Sequence, residues 1–370
     1  MLHTVALTLL RGITQSQTRD LLRHVPDAQR IFTQPDEALA EANPQMLRHL
    51  KAALEAHGSE ALQRAEAEIA FCERHNIRVL SLNDADYPQR LADCPDAPAV
   101  LYFRGTADLN ARRILSIVGT RRITPYGADL CRIFCTDLAQ LLPDTLIVSG
   151  LAYGVDIHAH RHCVSQGLPT VGVLAHGLDQ IYPATHRDTA KAMVGHGGLL
   201  TEYPSQTQAR SGNFVRRNRI VAGMSDATIV IESAFKGGAL ITARLASDYG
   251  RIVCAYPGRS TDQYSEGCNR LIRDRVADLV TSAADVLEVM GWAVHTQQPK
   301  APIQLELFPS LTPEQLLVVE ALRQSEGLSR QQLCIQTNLP LSTIITLLFE
   351  LEMTGVVTLL AGGVYRFLPR

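Results

Sequence analysis

Seven short apolar runs, at residues 77–80, 114–118, 146–148, 171–174, 199–201, 228–231 and 252–255, constrain the fold of this chain more tightly than anything else in it. Most are unbroken stretches of Val, Ile and Leu, which is how a strand reads when both its faces are buried. Helical stretches separate them, and strands alternating with helices build a parallel, doubly wound sheet. Several runs close on small residues: Gly119, the pair Ser149 and Gly150, and Gly177. Such a sheet takes its ligands at the carboxyl ends of its strands, so these turns mark where a site is expected.

The flanks differ in texture. Residues 1–65 carry helical apolar periodicity with short breaks and are expected to form a small helical module. Within it, LLRGITQSQTRDLL loosely matches a helix-hairpin-helix, but Thr14 stands where that pattern has its second glycine. Residues 66–292 hold the sheet, and 293–310 are polar and proline-marked, as a linker is. In residues 311–370, Thr312 and Pro313 open one helix, Ser329 a second, and LSTIITLLFELEMTG a third that Gly355 stops; a hairpin follows. Three helices and a hairpin make a winged helix. Its third helix has no Lys or Arg and carries Glu350 and Glu352. That argues against reading duplex DNA, because phosphate neutralisation supplies most non-specific affinity. A protein-contact or regulatory role is expected there.

Chemistry concentrates at residues 211–259. Phe214 precedes Arg216, Arg217, Asn218 and Arg219, and Lys236 leads into Gly237 and Gly238. Arg offers a forked, permanent charge for phosphate oxygens, glycines let backbone amides approach an anion, and Phe can stack on a base. The formal net charge is -2, so any nucleic-acid footprint has to be local. Residues 205–275 supply that asymmetry, with eleven bases to six acids. Two strand-end turns lie nearby in the expected sheet. Ser149, Gly150, Ala152 and Gly154 lead into a helix, where backbone amides and the helix dipole suit an anion; the same glycines equally serve a tight turn. Gly119, Thr120 and Arg121 follow another strand and bring a guanidinium to the same edge.

Other chemistries fail on spacing. The strand turns lack G-x-G-x-x-G, and Lys236 precedes its glycines where a P-loop lysine follows them, so neither NAD nor ATP is implied and no cofactor is expected. His158, His160 and His162 with Cys163 suggest a metal, yet no HExxH glutamate accompanies them, and a packed or solvated helix is the simpler reading. Ser149 is outside a nucleophile elbow, and no cysteine has a base close in sequence. Asp156 and Glu232 are explained more simply as helix caps and arginine partners than as acid–base groups. Eight cysteines without a CxxC pair, and an N-terminus without a basic leader or a long apolar run, point to a reducing cytoplasm rather than export or a membrane.

Together these motifs resemble the DNA-processing protein A family, also called Smf, along residues 77–290. The likeness is carried by Tyr87-Pro88, LYFRG at 101–105, Ile117 to Arg121, SGLAYGVDIHAH, Gly177-Leu178-Asp179 with Tyr182-Pro183, Glu202-Tyr203-Pro204, RNRIVAGMS, GGALITA and YPG with Gly267, Asn269, Leu271 and Ile272. The resemblance implies a Rossmann-like domain that binds single-stranded DNA without turnover and forms a homodimer. It also implies loading of the recombinase RecA onto incoming strands coated by single-strand binding protein, during natural transformation. The contact set it implies is Gly119, Thr120, Arg121, Ser149, Gly150, Ala152, Gly154, Phe214, Arg217, Asn218, Arg219, Lys236, Gly237 and Gly238. This chain departs from the family pattern at Ser211 and Val215, and at Ala184 and Thr185, where lysine or proline is common; Arg210 is a substitute for the first. The rival reading is a nucleotide-cleaving enzyme similar to the lysine-decarboxylase-like phosphoribohydrolases, whose glycine-pair motif GGALIT resembles, although Arg244 stands where a carboxylate is wanted.

Overall fold

The computed structural model describes residues 1–38, 44–292, 311–325, 327–354, 356–360 and 363–367. The chain forms two units, Met1–Val294 and His295–Arg370. The expected linker at 293–310 and the helix stop at Gly355 lie outside the described residues.

Five helices open the first unit: α1 (Leu2–Leu9), α2 (Gln15–His24), α3 (Ala28–Thr33), α4 (Pro35–Ala38) and α5 (Pro44–Arg74). Thr14 starts α2 through a capping box: its hydroxyl accepts the Gln17 N–H at 3.3 Å, and Gln17 Oε1 accepts the Thr14 N–H at 2.8 Å. The α2 start at Thr14 is therefore closed by its own side chains. α5 runs past residue 65, where the sequence pattern alone would end the module. Its buried face shares one apolar cluster with Val100 and Tyr102 of the sheet, so helical module and sheet are continuous.

The sheet unit then alternates strands and helices: β1 (Arg78–Ser81), α6 (Gln89–Ala92), β2 (Val100–Gly105), β3 (Ile114–Val118), α7 (Pro125–Leu141), β4 (Leu146–Ser149), α8 (Val155–Gln166), β5 (Thr170–Val173), α9 (Arg187–Val194), β6 (Gly197–Thr201), α10 (Ser211–Gly223), β7 (Ala227–Val230), α11 (Ala239–Asp248), β8 (Ile252–Ala255), α12 (Glu266–Arg273), β9 (Asp278–Leu279) and α13 (Ala283–Val289). The strand order is β1-β2-β6-β5-β4-β3-β7-β8-β9. β1–β2 and β2–β6 pair antiparallel, and every pair from β6 across to β9 is parallel. All seven expected strands are present, β3 and β8 to the residue. β2 and β9 are additional to them.

Side-chain alternation sorts each apolar run between two layers. Ile114 and Val118 of β3, with Leu146 and Val148 of β4, join a cluster with α10 and α11. Leu115, Ile117 and Ile147 point the other way, against α7, α8 and α13. Each fully buried Val, Leu or Ile contributes about 1.5 to 3 kcal/mol relative to exposure, so both faces favour this register over a one-residue slip. From β3 the chain steps outward through β4, β5 and β6, then returns to β7 on the other side of β3. This reversal opens a crevice between the carboxyl ends of β3 and β7.

The second unit comprises α14 (Pro313–Arg323), β10 (Leu328–Ser329), α15 (Arg330–Thr337), α16 (Leu341–Met353), β11 (Val357–Leu360) and β12 (Val364–Phe367), with sheet order β10-β12-β11. It is the expected winged helix, and Thr312 and Ser329 cap α14 and α15 as their sequence positions imply. Among the described residues no single helix is long and apolar enough to cross a membrane.

Candidate nucleic-acid interface

The turn after β3 is pinned from both sides. Thr120 N–H donates to Glu232 O beyond β7 at 2.8 Å, and Val155 N–H of α8 donates to Thr120 O at 3.1 Å. Gly119 is required at this packing distance, since a Cβ there would lie 2.8 Å from Val155 Cβ and 2.9 Å from Glu232 O. With its backbone held, the turn leaves Arg121 and Arg122 exposed at the crevice. Glu232 accepts the Thr124 N–H at 3.0 Å and also the Thr124 hydroxyl, at the start of α7. It is a cap, as its sequence context suggests.

The floor departs from expectation. The amides of Gly150 and Ala152, expected to face an anion, donate to Asp156 Oδ2 at 3.2 and 3.3 Å. The Ncap of α8 is Gly154, which has no side chain to cap with, so Asp156 folds back from the first turn and takes those donors. Burial raises the Asp156 pKa, and Arg217, then the two amides, pull it back down. Arg217 is itself buried beneath the floor, where Nη1 donates to Gly150 O and Val173 O. A buried guanidinium and a buried carboxylate thus offset one another, and Arg121 and Arg122 are left as exposed charge on the β3 side of the crevice.

Phe214, in the first turn of α10, forms one wall. The Arg121 guanidinium lies 5.2 Å from its ring centroid, and the Tyr182 ring packs against it at 5.8 Å. With the loops after β3, β4 and β7, Phe214 and Arg121 line a cavity of about 350 Å³. Its lining brings together ten of the fourteen expected residues: Gly119, Thr120, Arg121, Gly150, Ala152, Phe214, Arg217, Asn218, Gly237 and Gly238. The other four stand elsewhere. Ser149 is buried and donates to Ile117 O at 2.6 Å. Gly154, at φ +76, lies behind Thr120 and Arg121. Lys236 is exposed just ahead of the Gly237 wall. Arg219 is buried in an ion pair with Glu202, away from the cavity lining. Arg122, Val215 and Ile241 also line the cavity, outside the expected set. Arg122 is legible as the second base of its turn; Val215 and Ile241 carry no signal beyond helical spacing.

His158 and His162 share a face of α8 with ring centroids 6.2 Å apart, but His160 turns inward and bonds Thr170 Oγ1 through Nδ1 at 2.7 Å. Cys163 packs 3.8 Å from Cys135 Sγ. Burial above all, then Arg217 and His186, lowers the His160 pKa from 6.5 to about 3. Its depressed folded-state value means that its contribution is complete above pH 6.5 and is lost as pH falls toward 3. Wild-type unfolding free energy is therefore expected to drop by up to about 1.4 kcal/mol per pH unit more steeply than that of His160→Gln. Urea unfolding of both proteins at pH 7 and pH 5 checks this; parallel slopes would contradict it.

The comparisons with known proteins agree with one another. Residues 78–291 match the family described as DNA recombination-mediator protein A, and residues 299–363 match the DprA winged helix domain. The chain is 32% identical to Protein Smf of Escherichia coli over 304 residues, covering 81% of this chain and 80% of the relative. Among solved structures it is similar to DNA processing protein A of Streptococcus pneumoniae, at 29% identity and TM-score 0.65, covering 78% of this chain and 97% of the other. It is also similar to DNA processing protein A of Helicobacter pylori, at 28% identity and TM-score 0.52, covering 58% of this chain and 95% of the other. That structure concerns the Helicobacter protein's mode of binding single-stranded DNA.

Proposed function

The chain belongs to the DNA recombination-mediator protein A family, and from that premise we propose that it binds single-stranded DNA at the β3–β7 crevice and releases it chemically unchanged. One observation carries the reading: an exposed Arg121 guanidinium stacks on Phe214 at the mouth of a glycine-walled cavity. Phosphate neutralisation and base stacking then act at one point, and that pairing is how unpaired strands are held. The acids beside the crevice, Asp156 and Glu232, are spent on backbone donors, which supports binding over acid–base turnover.

Family membership further supports delivery to RecA of strands coated by single-strand binding protein, in transformation and recombination, with the protein acting as a homodimer. A reducing cytoplasm fits the free cysteines, seven of the eight of which are buried.

Anisotropy titration with a labelled oligonucleotide tests the reading. Single strands should bind more tightly than duplex, and Arg121→Ala and Lys236→Ala should each cost about 1 to 3 kcal/mol. Each should also flatten the dependence of log K on log salt by about 0.7 for every phosphate no longer neutralised. Unchanged affinity of the double variant would remove the site. Release of free base from a nucleoside monophosphate would instead support the phosphoribohydrolase reading.

A further inference from the structure

Among the described residues of the first unit, the exposed Phe, Tyr and Trp side chains are Tyr126, Tyr153, Tyr182 and Phe235. All four sit beyond the carboxyl ends of parallel strands. Tyr126 opens α7 after β3, Tyr153 lies between β4 and α8, Tyr182 follows β5 and Phe235 follows β7. An aromatic ring left in water forgoes a large burial gain, so confinement of every such ring to one edge of the sheet marks that edge as a contact surface.

Two of these rings adjoin residues that line the cavity: Tyr182 packs on Phe214, and Phe235 lies two residues before Gly237. Tyr182 is 51% exposed, and its ring packs on Phe214, whose other neighbour is Arg121. Its backbone is fixed from inside the protein, because its N–H donates to the buried His176 Nε2 at 3.2 Å. Phe235 is 42% exposed beside Lys236, with the Arg270 guanidinium 4.6 Å from its ring centroid. The Phe235 end thus repeats the pairing of ring and cation found at the cavity mouth, and the Tyr182 end extends that mouth by a ring-on-ring contact. In the order β5-β4-β3-β7 the two rings follow strands three spacings apart, about 14 Å. The other two rings are already engaged: Tyr126 Oη donates to Pro257 O at 3.0 Å, and Tyr153 sits edge-on to His186.

Resting on the single-strand reading above, we infer that Tyr182 and Phe235 are two further base-stacking platforms, so that an unpaired strand crosses the carboxyl edge of the sheet from the β5 side to the β7 side. Neither ring supports the core, so either can be removed without unfolding the protein. Affinity here is a sum of backbone and base contributions, and the two are separable by chemistry: an oligomer with abasic sites keeps its phosphates and lacks the stacking faces.

Anisotropy titrations with oligothymidine and with an abasic oligomer of equal length test the inference on the full chain. Tyr182→Ala and Phe235→Ala should each weaken oligothymidine about tenfold, within the range for loss of one base–aromatic stack, and leave the abasic oligomer unaffected. Tyr182→Phe and Phe235→Tyr should restore wild-type affinity. The inference is overturned if both alanine variants bind oligothymidine as wild type does, or if oligothymidine and the abasic oligomer weaken equally. In either case weaker binding by Arg121→Ala would leave the crevice reading standing. If wild type fails to prefer single strands at all, that reading falls as well.

Discussion

Replacing Arg217 by methionine should lower the unfolding free energy by about 3 to 5 kcal/mol, the cost of leaving one member of a buried charge pair alone. The guanidinium bonds Gly150 O and Val173 O and counters the buried Asp156. Methionine fills much of the volume but gives neither carbonyl a donor, and Asp156 then has the two amides and the Ser149 side chain, with no opposite charge, to oppose its desolvation. Adding Asp156→Asn to the same background removes the stranded charge and should recover part of the stability. Urea denaturation of the single and double variants measures both effects. A decrease below about 1 kcal/mol for Arg217→Met would mean that the floor is hydrated and the pair is not what holds it.

Gly154→Ala should cost about 2 to 5 kcal/mol, combining strain and overpacking, and should weaken DNA binding as well. Gly154 takes φ +76 and ψ −127, a conformation L side chains avoid. A Cβ there would lie 2.7 Å from Arg121 Cα and closer still to Thr120 O. Those neighbours are backbone, so they cannot yield by a rotamer change. The turn carrying Arg121 has to move, which links stability to function through one atom. Thermal unfolding and oligonucleotide anisotropy on the same sample check the pair of effects. Weakened affinity with unchanged stability would show that the turn shifts freely, contrary to its two backbone bonds.

Much of this is legible in the sequence because a strand buried on both faces has an unmistakable composition. β3, ILSIV, and β8, IVCA, carry no ambiguity about length or face. β2, VLYFRG, is harder to see because it pairs antiparallel near the sheet edge, outside the alternation of strand and helix that reveals the others. The crevice follows from strand-end glycines. The role of each arginine does not. Neighbours on a helix diverge by about 100° per residue, so Arg216, Arg217 and Arg219 form one patch in sequence, yet Arg217 turns away from the face on which Arg216 and Arg219 both reach Gln15. Arg216 is exposed, Arg217 lies under Gly150, and Arg219 meets Glu202, a pairing no local spacing encodes. Likewise the amides of Gly150 and Ala152 look like free donors in the sequence, although Asp156 stands within reach in the same turn.

The most direct measurement is a crystal structure with a short oligothymidine. The expected result is a strand at the β3–β7 crevice, with a phosphate within hydrogen-bond distance of Arg121 and a base stacked on Phe214. A strand bound elsewhere, on the winged helix for instance, with the crevice left empty, would contradict the account.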